Sequence, residues 1–442
     1  MRIIVLICLL LGMFTPGVAL AQQCQADAEV IVRMRKAEIG SYNVWDTVYG
    51  LRADIERFVG GTTSVAKNAV VAGERYFKVD ADVTLVMAEL DRRGRVIWEK
   101  EHDIKNLRKL VKFLPDKNGY IVLANRKEGK GKDHIWVGFF DLNGGLVRSK
   151  TIRNDKFELF AQDMIPTHEG NGYLLAAAAQ GRGYEAGGYA VLYRLDAKGG
   201  VLSDRAYMPG LENRILGLSA GEAPYYYATG FARAEDGRKT GWALKIEGKG
   251  AIVWQRQYPR GAAAQFEVAA DYSDPYFLAA GESSPAGGGS GAAWVALLSG
   301  DNGDIIWQRY YSGEMEFRAA DILTHDGGQI SVLLDAQRPN GTDEKEFPEY
   351  ARILTLSPRG VVLLSDTYYN GSGARAFDMF PGPNQERIMA GYSDVVYRDE
   401  DPAHPEKDVR ESKSREAWVL AGAPVEPYDD PCVQSAAADE AQ

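Results

Sequence analysis

Gly291 to Tyr311, GAAWVALLSGDNGDIIWQRYY, reads as a strand, a tight turn and a returning strand. Alternation puts Trp294 and Ala296 on one face and Val295 and Leu297 on the other, which predicts a half-buried strand. Ser299 to Asp304 is a polar turn rich in Gly, Asp and Asn, and Ile305 to Tyr311 is heavy in β-branched and aromatic residues. The rest of the chain repeats this unit.

With Trp307 as reference, its counterparts are Trp45, Trp98, Arg148, Ser203, Trp254 and Leu364, at spacings of 53, 50, 55, 51, 53 and 57. Four residues before the last six references stands a glycine: Gly94, Gly144, Gly199, Gly250, Gly303 and Gly360. A turn position with positive φ explains a fixed glycine. Four residues after the references come Tyr49, His102, Ile152, Tyr207, Tyr258, Tyr311 and Tyr368. A second hairpin follows in each copy, as in Asp116-Lys117-Asn118-Gly119 before Tyr120 to Leu123 and His325 to Gly328 before Gln329 to Leu333. Copies of about fifty residues with four antiparallel strands each predict propeller blades.

The first copy lacks its opening strand, while the C-terminus has a spare one, Arg415 to Ala421 (REAWVLA), which matches Gly291 to Leu297. The expected architecture is therefore all-β: a seven-bladed β-propeller of four-stranded antiparallel blades, with the C-terminal strand completing the first blade. Closure removes free sheet edges. Insertions fall at Ala279 to Ala293, Asp335 to Tyr350 and Tyr392 to Ser414, assigned here to the connections between blades. All eight tryptophans occupy repeat positions, as expected for aromatics that pack blade on blade.

The composition is that of a folded chain: 442 residues, 45% hydrophobic, with 48 Gly and 23 Tyr. A net charge of −10 argues against nucleic acid as the main partner. Residues 1–21 read as a secretory signal: Arg2, an apolar run from Ile3 to Leu11, and Ala19-Leu20-Ala21 as the site cleaved before Gln22. That run is too short for a membrane span, and no second long apolar run follows. The expected location is periplasmic or secreted. The propeller then spans 22–432 and residues 433–442 form a disordered tail. Removing the signal leaves Cys24 and Cys432, one at each end. In an oxidising compartment this lone pair is expected to form a disulfide clasping the same seam as the closing strand. Its loop of 408 residues gives about 5–6 kcal/mol in the chain-entropy model, an upper bound.

The pattern Trp-Val-x-Leu, Gly-x-Ile-Ile-Trp-Gln-x-x-Tyr, Asp-Gly-Gly-x-Ile resembles the secreted bacterial β-propeller repeats in which WVLKLD-x-x-G-x-x-W is followed by DGGYIVAG. Gly241 to Ile246 (GWALKI) with Trp254 is the nearest copy, and the likeness covers nearly all of the mature chain. It implies the architecture and leaves function open, because propellers host unrelated activities. A second, more distant likeness is to quinoprotein-type propellers, which Asp301 to Trp307 approaches. Most copies lack the Asp and Thr-Gly of that signature, so no quinone or other cofactor is expected.

Catalytic motifs are missing: there is no G-x-S-x-G elbow and no Walker-type loop. The five histidines, His102, His134, His168, His325 and His404, have no metal-ligand spacing. Gly300 to Asp304 reads as a hairpin turn in preference to a calcium loop. No catalytic, cofactor or metal residues are assigned. One polar feature repeats: Arg57, Arg108, Arg214, Arg318 and Arg375, at +12, +10, +11, +11 and +11 from their references. Glu56, Glu212 and Glu316 nearby fit local ion pairs on a solvated rim, worth little individually. Alternatively, the arginines form a face for an anionic or polar partner, protein or glycan. The expected function is an exported, non-catalytic scaffold for protein–protein interaction in the periplasm, envelope or extracellular space. The alternative is a ligand- or glycan-binding protein, or a quinoprotein-like enzyme, with its site in the central channel.

Overall fold

The computed structural model describes residues 29–33, 43–49, 55–76, 83–128, 132–181, 188–286, 290–338, 349–369, 373–399 and 410–428. The signal segment, both mature cysteines, His404 and the tail lie outside these residues, and so do parts of the insertions. Every regular element among the described residues is a β-strand.

Two strands come first, β1 (Glu29–Arg33) and β2 (Asn43–Tyr49). Four-stranded antiparallel groups follow in chain order. The first is β3 (Ile55–Thr63), β4 (Ala69–Tyr76), β5 (Thr84–Leu90) and β6 (Val96–Asp103). The next is β7 (Leu107–Asp116), β8 (Gly119–Glu128), β9 (Lys132–Asp141) and β10 (Leu146–Ile152). Then come β11 (Glu158–Pro166), β12 (Gly172–Gln180), β13 (Tyr189–Asp196) and β14 (Val201–Tyr207). They are followed by β15 (Glu212–Ala220), β16 (Tyr225–Arg233), β17 (Lys239–Glu247) and β18 (Ile252–Tyr258). After these lie β19 (Ala263–Asp271), β20 (Tyr276–Ser284), β21 (Ala292–Ser299) and β22 (Ile305–Ser312). β23 (Glu316–Thr324), β24 (Ile330–Gln337), β25 (Tyr350–Leu356) and β26 (Val362–Tyr368) form another. Last are β27 (Ala374–Pro381), β28 (Arg387–Asp399) and β29 (Arg410–Gly422), whose fourth strand is β2 from the other end of the chain. The arrangement is that of a β-propeller, with the first strand of each group innermost.

The C-terminal strand does pair with the Trp45 strand, Trp45 facing Ala421 and Val48 facing Trp418. The sheet they share also contains β27 and β28, so repeat and sheet are out of phase by two strands. A sequence copy supplies the outer two strands of one sheet and the inner two of the next. The insertions accordingly join the second and third strands within a sheet and do not connect one blade to the next.

The central strands are not half-buried. β21 is buried along its whole length, because each sheet is sandwiched between two others. Trp294, Ala296 and Leu298 join one apolar cluster, while Val295 and Leu297 join another. Alternation therefore selects which neighbour a side chain meets. The fourth strands lie outermost, and β14 and β18 are largely exposed.

The fixed glycine and tyrosine of the repeat meet across sheets. Tyr49 donates its hydroxyl to the Gly94 carbonyl at 2.5 Å, Tyr207 to Gly250 at 2.6 Å and Tyr258 to Gly303 at 2.6 Å. His102 replaces the tyrosine and reaches the Gly144 carbonyl through Nε2 at 2.9 Å. Gly303 has φ +75°, and a Cβ there would lie 2.8 Å from the Trp254 ring. The same turn that needs a left-handed residue thus also needs room for the preceding sheet's tryptophan. Ser299 and Asp304 close this turn by backbone pairing.

Candidate binding channel

The innermost strands share a local irregularity. Each of β3, β7, β11, β15, β19, β23 and β27 carries a bulge, at Val59, Val111, Gln162, Leu216, Glu267, Ala320 and Phe377. A bulge adds one residue, bends the strand and re-aims its side chains. These strands surround a channel of about 800 Å³.

Side chains line the channel in levels. Two residues before the bulge stand Arg57, Lys109, Arg214 and Arg318. One residue after it stand Lys112, Asp163, Asp321 and Asp378. The carboxylates of this second level are committed to backbone. Asp163 accepts from Met164 N at 2.9 Å and from Leu218 N, on the neighbouring innermost strand, at 2.7 Å. Asp321 accepts from Ile322 N and Met379 N, both at 2.8 Å, and Asp378 accepts from Gly61 N at 2.8 Å. Each therefore ties one innermost strand to the next. Lys112 Nζ lies 3.3 Å from Asp163 Oδ1, and the nearby acids hold its charge on, overcoming burial. Burial pushes Asp321 and Asp378 above the usual carboxylate range, each against the pull of Lys112. Both side chains are closely surrounded by protein although they still meet the channel. This level is a structural clamp with an ammonium at its centre.

The first level is different. Arg57 Nε donates to Glu74 Oε1 at 2.5 Å, while Glu74 Oε2 accepts from Leu110 N at 3.0 Å. Arg318 Nε lies 3.3 Å from Glu267 Oε2 without hydrogen-bond geometry, and Arg214 Nη2 lies 3.5 Å from Glu212 Oε1. Arg214 Nε is buried with no hydrogen-bond partner. Burial lowers the Lys109 pKa, helped by the charges of Arg57 and Arg318. Arg57 and Arg318 thus repel Lys109 across the channel, while Glu74 and Glu267, the latter also in the channel wall, attract it.

Of the five arginines singled out in the sequence, Arg57, Arg214 and Arg318 meet in this level. Arg375 is held by Asp335, with Nε donating to Oδ1 at 2.9 Å. Arg108 is exposed and does not line the channel. Sequence reasoning missed Lys109, although it stands at +11 from Trp98, the spacing of most of the set. An extra irregularity between Leu107 and Lys109 places the lysine at the channel in its stead. Among the described residues no group of His, Cys, Asp and Glu is arranged to hold a metal. His168 and His325 lie in turns, His168 N donating to Tyr226 Oη at 2.8 Å and His325 Nε2 meeting Ser331 Oγ at 2.8 Å.

No family model matches the chain, and no curated relative does. Solved structures with a similar course include the β-propeller domain of the trilobed protease from Pyrococcus furiosus, at 11% identity and a TM-score of 0.46, covering 86% of this chain and 98% of that one. Puromycin hydrolase is similar at 13% identity and a TM-score of 0.48, covering 84% of this chain and 55% of that one. Sqt1 from Chaetomium thermophilum is similar at 11% identity and a TM-score of 0.44, covering 76% of this chain and 93% of that one.

Proposed function

We propose that the chain is an exported seven-bladed propeller scaffold that binds an acidic segment of a partner protein at the mouth of its channel. The observation that carries this reading is the convergence of Arg57, Lys109, Arg214 and Arg318, from four different strands, on one level of the channel wall. Each is the third residue of its strand. In an antiparallel group, the connections between second and third strands leave from the face where the first strand begins. The long insertions therefore leave from the same face as the cations. The carboxylates of the deeper level are spent on backbone, which favours binding over acid–base chemistry.

A closed ring is supported by contacts between successive innermost strands, which run from β3 round to β27 and from β27 back to β3. Asp378 to Gly61 bridges that last junction. The Cys24–Cys432 disulfide belongs to this reading as a proposal; both cysteines lie outside the described residues, and the nearest described residues on either side lie towards one face. β1 runs parallel to β22, with its start directed to the face of the Ser299–Asp304 turn. Gln329, in a turn on that face in the next sheet, donates to the Glu426 carbonyl at 2.6 Å. Export predicts that the mature chain begins at Gln22 and that non-reducing peptide mapping finds the two cysteines linked; free thiols in periplasmic or secreted material would remove the clasp.

The binding claim is tested by replacing Phe160, which lines the channel level with the cations, by a photo-crosslinking residue in the producing cell. One acidic protein captured in about equal amount, and lost in Arg57→Ala/Arg214→Ala/Arg318→Ala, is the expected result. Capture that ignores those substitutions would overturn the reading.

A further inference from the structure

β1 reveals how an outer edge of this molecule accepts a strand. Residues Glu29–Arg33 lie parallel to β22 with Glu29 facing Gln308, Val30 facing Arg309, Ile31 facing Tyr310 and Val32 facing Tyr311. The β19–β22 sheet thereby gains a fifth strand, and its outermost backbone groups are paired. One other edge has nearly the same sequence. β18 reads Ile252-Val253-Trp254-Gln255-Arg256-Gln257-Tyr258, and β22 reads Ile305-Ile306-Trp307-Gln308-Arg309-Tyr310-Tyr311. Five of seven positions are identical. Among the described residues β18 pairs only with β17.

The two copies differ in exposure at the arginine, Arg309 being held by the Gly360 and Arg359 carbonyls of the adjacent sheet. Arg309 is 3% exposed, whereas the Arg256 side chain is 44% exposed. Val253 and its counterpart Ile306 are exposed alike, at 49% and 43%. Open edges usually defend themselves with charge. β6 carries Glu99-Lys100-Glu101, β10 carries Arg148 and Lys150, and β14 carries Asp204-Arg205, whereas β2 and β26 carry one aspartate each and do not share the β22 sequence. β18 has Arg256 alone, between two glutamines, and that arginine is drawn to Asp304 on the adjacent sheet. β18 is thus a little-guarded duplicate of an edge that is already occupied.

We infer that β18 is a strand-addition site, taking an extended β-branched segment of a partner protein in parallel register, as β22 takes Glu-Val-Ile-Val-Arg. Backbone pairing supplies the affinity in this mode, and alternate side chains supply the selectivity. A partner segment can fill β18 without costing the chain the β1–β22 pairing. A second copy donating its own β1 would have to give that pairing up, so an external segment is the favoured occupant. The site is separate from the channel and stands or falls independently of it.

The test uses the mature chain, residues 22–442, and a fluorescein-labelled peptide of residues 26–35, ADAEVIVRMR, as the probe. The expected result is saturable binding at one site, with amide exchange slowed about tenfold or more across Ile252–Tyr258. The same peptide N-methylated at Val30, Ile31 and Val32 loses donors along both strand edges and should bind at least about tenfold more weakly. Three results would overturn the inference. One is no binding up to about 1 mM peptide. Another is protection confined to Ile305–Ser312, which would mean that the peptide merely displaces β1. The third is self-association of the peptide-free chain that protects Ile252–Tyr258 and vanishes on deleting residues 22–33, which would assign the edge to a second copy.

Discussion

Tyr258 and Gly303 illustrate how single residues hold neighbouring sheets together. The Tyr258 hydroxyl is buried on the Gly303 carbonyl, and burial pushes its pKa well above the usual tyrosine value. Tyr258→Phe leaves that carbonyl unpaired and should cost about 1–2 kcal/mol in denaturant unfolding. Gly303→Ala forces a left-handed alanine against the Trp254 ring and should cost about 2 kcal/mol or more. Gly291→Ala is the control, since nothing lies within 4 Å of its added methyl, and should stay within about 0.5 kcal/mol. His325 gives a pH signature. Burial, then Arg387, pushes its pKa down to about 4. The folded state therefore favours the neutral ring, and its contribution is complete above about pH 6.5, the ordinary histidine value. It is lost as pH falls towards 4. Denaturation midpoints measured from pH 7 to 4 should fall less steeply in His325→Gln than in the parent.

At the scale of elements, the innermost strands carry both the architecture and the site. Their bulges set the channel levels, and the carboxylate one residue past the bulge ties strand to strand. Asp378→Ala removes the tie to Gly61 N and should lower the thermal midpoint, while Asp378→Asn, which keeps an acceptor, should restore most of it. The strand pattern was legible in the sequence because glycine, tyrosine and tryptophan recur at fixed offsets, each for a contact between sheets. The phase was not legible: a copy cut at Trp307 has four strands whichever hairpin opens it, and only pairing decides which four share a sheet. The channel was half legible. Arg57, Arg214 and Arg318 stood out by charge and spacing, but Arg108 was taken for Lys109 because a local irregularity is invisible to a residue count. Arg375 carries the right charge and spacing, yet Asp335, forty positions away, claims it.

At the scale of the whole molecule, the sheet that holds β29 is completed by β2, a strand from the far side of the sequence. Trp418 is fully buried there, and Trp418→Ala should cost about 3–5 kcal/mol. The channel exists only while the innermost strands stay arranged round it, so the proposed binding requires the folded chain. The role proposed for the cationic level is to bind an acidic segment. Titration calorimetry of the mature chain with a ten-residue aspartate- and glutamate-rich peptide, at low and physiological salt, tests it most directly. The expected result is one-to-one binding that weakens with salt and falls at least about tenfold in Arg57→Ala/Arg214→Ala/Arg318→Ala, a variant whose thermal midpoint drops because buried Glu74 loses its ion pair, and which is therefore measured well below that midpoint. Equal affinity in parent and triple variant, with the variant folded, would contradict it.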